Sequence, residues 1–152
     1  MNLIDLKAEL HARCLTIVNQ RIWTVEKAIA DAQATANSDT KSSAGDKYET
    51  TRSMMQLEIE QQSTQLAEAK KLKDALLKIN PTQSTKIVKP GSLVITNHGD
   101  FYLATSVGSV MINDKSYMVL SPTSPVGALM IGLHAGNELT FNKKVFIIHE
   151  VV

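Results

Sequence analysis

The 152-residue chain is poor in the residues that would make its class obvious. It has a single cysteine, Cys14, so no internal disulfide can form. That thiol sits in an apolar periodic pattern with no histidine partner indicated, and it reads as core packing rather than a nucleophile. Sixteen basic residues face fifteen acidic ones, a net charge of +1, and so bulk attraction to nucleic acid or anionic membrane is not expected. No run approaches the ~18–20 apolar residues of a membrane span, and "MNLIDLKAEL" carries charge among its leucines, unlike a signal peptide. A soluble cytoplasmic protein is the expectation. Glycine and proline are unevenly missing: before Pro81 there is one glycine, Gly45, and no proline.

That asymmetry divides the chain near "NPTQSTKIVKPGS", residues 80 to 92. Without glycine or proline, long helices are allowed, and with them short strands and turns are expected. The first helical run spans roughly Leu3 to Ala36, with Leu3, Leu6, Leu10, Cys14, Val18, Ile22, Val25, Ile29 and Ala32 on one face. A second, from near Asp46 to near Ile79, carries Met55, Ile59, Leu66, Ala69, Leu72, Leu76 and Ile79, with a polar gap at Gln62. Each would be about 50 Å long. One apolar seam per helix asks for a partner helix, and a short connection makes the antiparallel coiled-coil hairpin the simplest answer. A continuous helix dimerising in trans is the alternative, and Gly45 with its polar neighbours argues against it. Residues 1–80 are thus expected to form the hairpin, with "SDTKSSAGDKYETTR" (38–52) at its tip, centred on about 38–46.

The remainder, 86–152, reads as a small sheet module with one short helix, giving an α+β fold overall. Strands are expected in "SLVIT" (92–96), "FYLATSV" (101–107), "SYMVLS", "ELTF" and "KVFIIHEVV", with a turn at Asn113-Asp114-Lys115. In "SPVGALMIGL", Ser124 suits the N-cap, Pro125 the first helical position and Gly132 the stop. About 65 residues make a marginal core, so support from the hairpin base is expected.

"SPTSPVGALMIGLHAGNELTF" followed by "KKVFIIHEV" resembles the C-terminal domain of the bacterial Gre transcript-cleavage factors. Ser124, Pro125, Leu129, Gly132 and Gly136 fall at matching positions of that signature. The resemblance implies a coiled-coil hairpin joined to an FKBP-like β domain, and a factor that acts on transcription elongation by entering RNA polymerase's secondary channel. It also implies that the domain docks at the channel rim through Thr123, Ser124 and Pro125. Acidic tip residues would help hold a second Mg²⁺ at the polymerase active centre, where carboxylates supply hard oxygen ligands and the ion stabilises the attacking and leaving oxygens. Such a factor is no enzyme itself; it stimulates the polymerase's own cleavage of RNA, has no cofactor of its own and touches nascent RNA indirectly.

The tip departs from the family's Asp-Leu-x-Glu-Asn-Ala-Glu-Tyr. With Tyr48 on the tyrosine, the acidic sites fall on Lys41 and Ala44, neither an oxygen ligand. Asp39 and Asp46 are the fallback metal ligands, but Asp46 in "DKYE" also suits a helix N-cap with Glu49 three residues on. Lys41, Ser43, Gly45, Lys47 and Tyr48 are the expected partner-contacting tip residues, so regulation without standard cleavage is the expectation. The other reading is a coiled-coil interaction or adaptor protein with a homo-oligomeric or unrelated protein partner; the chain itself is expected to be a monomer, with a weak dimer as the alternative. The four histidines show no metal-ligand spacing and are expected at the surface or beside turns. Met54, Met55, Met111, Met118 and Met130 read as core or seam filler, and Trp23 as cover for the seam or an anchor for a partner.

Overall fold

The computed structural model describes residues 2–38 and 45–152, the side chains of residues 38 and 45–48 excepted. The order of elements is α1 (Leu3–Ser38), α2 (Gly45–Leu77), β1 (Leu93–Thr96), β2 (Gly99–Leu103), β3 (Gly108–Ile112), β4 (Lys115–Leu120), α3 (Pro125–Met130), β5 (Glu138–Phe141) and β6 (Lys144–Val151). Two long helices precede a six-stranded mixed sheet, so the fold is α+β. The chain divides into two compact units, Met1–Ile17 with Leu72–Val152, and Val18–Lys71.

In the Val18–Lys71 unit, burial follows the apolar stripes. Val18, Ala32 and Ala69 are buried, and Ile22, Val25, Ile29, Met55, Ile59 and Leu66 are half-buried between exposed neighbours. Gln62, the gap in the stripe of α2, is half-buried too, and its amide donates to Glu58 Oε1 at 3.0 Å. A polar side chain is tolerated there because it finds a partner one turn away on its own helix. Trp23 does not cover the seam. It is 59% exposed, with the Lys27 ammonium 5.5 Å from its ring, an arrangement typical of an exposed cation–π pair.

In the other unit the sheet runs β3-β4-β2-β1-β6-β5. Every neighbouring pair is antiparallel except β2 and β4, which pair in parallel as Phe101↔Met118, Tyr102↔Val119 and Leu103↔Leu120. β4 can lie beside β2 because β3 is placed outside it as the edge strand. The expected strand over 101–107 is shorter and displaced: β2 stops at Leu103, the chain bends through 104–106, and β3 starts at Gly108 with φ +99°. β3 then joins β4 through Asn113-Asp114, both at positive φ, 50° and 65°. Asn and Asp accept that left-handed backbone better than most side chains, and a two-residue turn of this hand matches the twist of the strands.

Strand alternation divides the sheet into two faces. On one, Val94, Leu103, Leu120, Ile148 and Val151 form a buried cluster with Met130 of α3. The opposite face carries Leu93, Tyr102, Val110, Ile112, Tyr117 and Val119, all buried. There the Tyr102 hydroxyl is hydrogen-bonded to His11 of α1 at 2.7 Å. Lys7, one turn earlier and fully buried, donates to the carbonyls of Gln83 at 2.7 Å and Val152 at 3.0 Å. The first turns of α1 therefore complete the core of the small sheet, which by itself would be marginal. His11 corrects the expectation that all four histidines lie at the surface or beside turns; His98, His134 and His149 are exposed. Met111 and Met118 are also corrected. They occupy the outward parity of the β3–β4 hairpin and are 53% and 43% exposed, while Met54 on α2 is 62% exposed.

Candidate functional site

The residues expected to act fall in two places. Asp39, Lys41 and Ser43 lie outside the described residues. Gly45, Asp46, Lys47 and Tyr48 belong by backbone to the first turns of α2, and their side chains lie outside the described ones. Because α2 begins at Gly45, Asp46 stands within its first turn and not at the N-cap. Capping preferences locate a helix start only to within a residue or two.

Thr123, Ser124 and Pro125 are brought together in a turn built on local hydrogen bonds. Ser124 is the N-cap of α3 in an extended conformation, φ −64° and ψ 159°, with Pro125 at the first helical turn. Its hydroxyl donates to the Ser121 carbonyl at 2.6 Å and accepts from the Gly127 N–H at 3.2 Å. The Ser124 N–H donates to the same Ser121 carbonyl at 3.0 Å. Ser121 in turn holds Thr123, whose N–H donates to Ser121 Oγ at 3.1 Å and whose hydroxyl is 2.8 Å from it. The Ser124 hydroxyl satisfies an N–H that the short helix would otherwise leave unpaired, and the Ser121 hydroxyl satisfies the N–H of Thr123 before it. Thr123 and Pro125 are left exposed on this stiffened turn, and Ser124 is half-buried.

Gly127 closes the turn, a role that the sequence reading did not assign. A Cβ there would collide with the Ser121 carbonyl oxygen and come within 2.7 Å of Ser124 Oγ and 2.9 Å of Leu120 Cδ1. The signal was available, since a glycine three residues after a capping serine stands where the helix N–H approaches the cap. Composition alone did not separate it from the glycines that serve turns. Gly132, the expected stop, follows the helix at φ +86°.

Concavities among the described residues lie elsewhere. One, of about 330 Å³, is lined by Gln33, Ala36 and Asn37 of α1 and Arg52, Gln56 and Ile59 of α2. Its lining is mainly amide and guanidinium, suited to hydrogen bonding and not to holding a cation. Another, of about 490 Å³, lies between Arg13, Thr16 and Ile17 of α1 and Ser109, Val110 and Met111 of β3. Across it Arg13 donates to the Met111 carbonyl at 3.2 Å and pairs with Glu9 at 3.6 Å, which blunts the edge of the sheet.

Burial shifts several ionisable groups inside the sheet unit, and one is paired. Burial pushes the Cys14 thiol up to about 11 and the Tyr102 phenol well above its ordinary range, with Cys14 adding to the latter. Burial lowers Lys7, and nearby Lys89 lowers it further. Buried Asp100 has Lys115 Nζ 2.6 Å from Oδ2, an ion pair without hydrogen-bond alignment. Among the described residues no three His, Cys, Asp or Glu side chains are grouped to hold a metal, and no helix is long and apolar enough to cross a membrane. No described protein family, curated protein or solved structure matches this chain.

Proposed function

We propose that this chain is a Gre-like regulator of transcription elongation that binds RNA polymerase at its secondary channel. In this reading α1 and α2 form an antiparallel coiled-coil hairpin and residues 86–152 an FKBP-like domain. The observation that carries the reading is the Ser124-Pro125 helix start. The residues of the signature build a stiff turn that presents Thr123 and Pro125 outward, the property a docking element needs. The antiparallel pairing draws support from one local fact: residues 33–37 of α1 share a cavity with residues 52–59 of α2.

The tip is then the part that meets the polymerase active centre and, at a distance, nascent RNA. With Lys41 and Ala44 where the family has acidic residues, the chain modulates elongation or pausing without standard cleavage and has no enzymatic activity of its own. Binding to core RNA polymerase, followed by fluorescence anisotropy with labelled chain, tests the reading. Wild type should bind and Thr123→Asp should alter the affinity. Adding the chain to backtracked elongation complexes separates the two mechanisms. Robust cleavage that Asp39→Ala or Asp46→Ala abolishes would establish a carboxylate mechanism with shared Mg²⁺ and overturn the non-cleaving reading. No binding to polymerase would leave the adaptor reading, which the 59% exposed Trp23 on α1 favours as an anchor for a partner.

A further inference from the structure

We propose that His11 is a proton-operated latch, holding the first turns of α1 against the sheet and loosening them when its ring takes up a proton. Two elements, α1 and β2, meet at this one side chain. Its Nδ1 is 2.7 Å from the Tyr102 hydroxyl of β2, and both side chains are buried. The neutral ring, with one donor and one acceptor nitrogen, makes that bond without bringing a charge into the core.

Protonation makes both ring nitrogens donors. The Tyr102 hydroxyl must then turn its hydrogen away into a region where Tyr102 is 0% and His11 6% exposed. A buried O–H without an acceptor and a buried imidazolium are each unfavourable. No nearby group offsets the charge. On α1 the titratable neighbours are Lys7, one turn earlier and itself a buried cation, and Cys14, a neutral thiol at ordinary pH. On the sheet face they are Tyr102, Tyr117 and Asp100, and the Asp100 carboxylate is committed to Lys115 at 2.6 Å. α2 contributes the Leu76 backbone, and the half-buried Lys73 three residues before it is another cation. The ring's pKa is accordingly lowered from 6.5 by burial, with the Leu76 backbone opposing it only in part.

The sign follows from linkage. With the folded value below the unfolded one, the unfolded or opened state binds the proton first as pH falls. The latch is fully engaged above about pH 6.5 and weakens as pH drops towards the lowered folded value. In that window the opening equilibrium grows by up to about tenfold per pH unit.

The test is hydrogen–deuterium exchange of the full chain at pH 7.5 and 5.5, corrected for intrinsic exchange rates, with an NMR titration of the His11 ring. The comparison variant is His11→Gln, whose carboxamide can bond the Tyr102 hydroxyl without titrating. Segment 3–14 of wild type should open up to about tenfold more at the lower pH, and His11→Gln should remove that difference. A ring titrating at or above about 6.5, an equal pH response in both proteins, or loosening spread evenly over β1–β6 would overturn the latch. Should His11→Gln fail to fold, the wild-type titration and the location of its loosened segments decide alone.

Discussion

Gly127→Ala sets helix propensity against packing, and the two predict opposite signs. Gly127 lies inside α3, where alanine is favoured over glycine by up to about 1 kcal/mol. The added methyl, however, would strike the Ser121 carbonyl oxygen and approach Ser124 Oγ to 2.7 Å and Leu120 Cδ1 to 2.9 Å. Leu120 can rotate. The Ser121 carbonyl cannot move cheaply, because it accepts from both the N–H and the hydroxyl of Ser124. Relief therefore means opening the turn. That strains or breaks these two bonds and the one from Gly127 N–H to Ser124 Oγ, each worth about 0.5–1.5 kcal/mol net. Overpacking of this kind typically costs about 1–3 kcal/mol. Subtracting the propensity gain of up to about 1 kcal/mol from the about 1.5–4.5 kcal/mol of the three bonds leaves an expected net loss of about 0.5–3.5 kcal/mol. Urea unfolding followed by circular dichroism measures it, with Ser124→Ala as a reference that removes the cap alone for about 1 kcal/mol. A neutral or stabilised Gly127→Ala would mean that the turn is not closed as described, and the stiff docking element would lose its basis.

Along the helices, Val18→Asp should cost several kcal/mol by burying an unpaired charge, since Val18 is fully buried. Ile22→Asp should cost distinctly less because its site is half-buried, and equal melting of the two variants would contradict the burial pattern. Cys14, buried and with its thiol pushed up to about 11, should resist a disulfide reagent at pH 8 in the native chain and react once urea unfolds it. Fast labelling of native protein would place the thiol at the surface. Lys143 sits at φ 65° in the β5–β6 turn. Lys143→Gly should therefore be neutral or stabilising by up to about 1 kcal/mol and Lys143→Val destabilising, the order that thermal melts should return.

What could be read in the sequence was what neighbours along the chain decide. The apolar stripes of α1 and α2, including the break at Gln62, reappear as the observed burial because helical spacing fixes which residues share a face. The start of α3 at Ser124-Pro125 and its stop at Gly132 were legible because a cap and a left-handed glycine need only nearby partners. The alternating strands and the Asn113-Asp114 turn belong to the same class, as does the buried Cys14.

Other features needed partners distant in sequence. Nothing local states that β4 pairs in parallel with β2 while β3 lies outside it, and that placement turns Met111 and Met118 towards solvent. Lys7 and His11 show the same limit in the core. By residue type they belong on the solvated side of an amphipathic helix, yet both are buried. Only the tertiary structure brings to them the main-chain oxygens of Gln83 and Val152 and the hydroxyl of Tyr102. A polar side chain can be buried only where such partners meet it. A pattern of apolar and polar residues predicts which groups leave water, and the three-dimensional fold decides which polar groups can go with them.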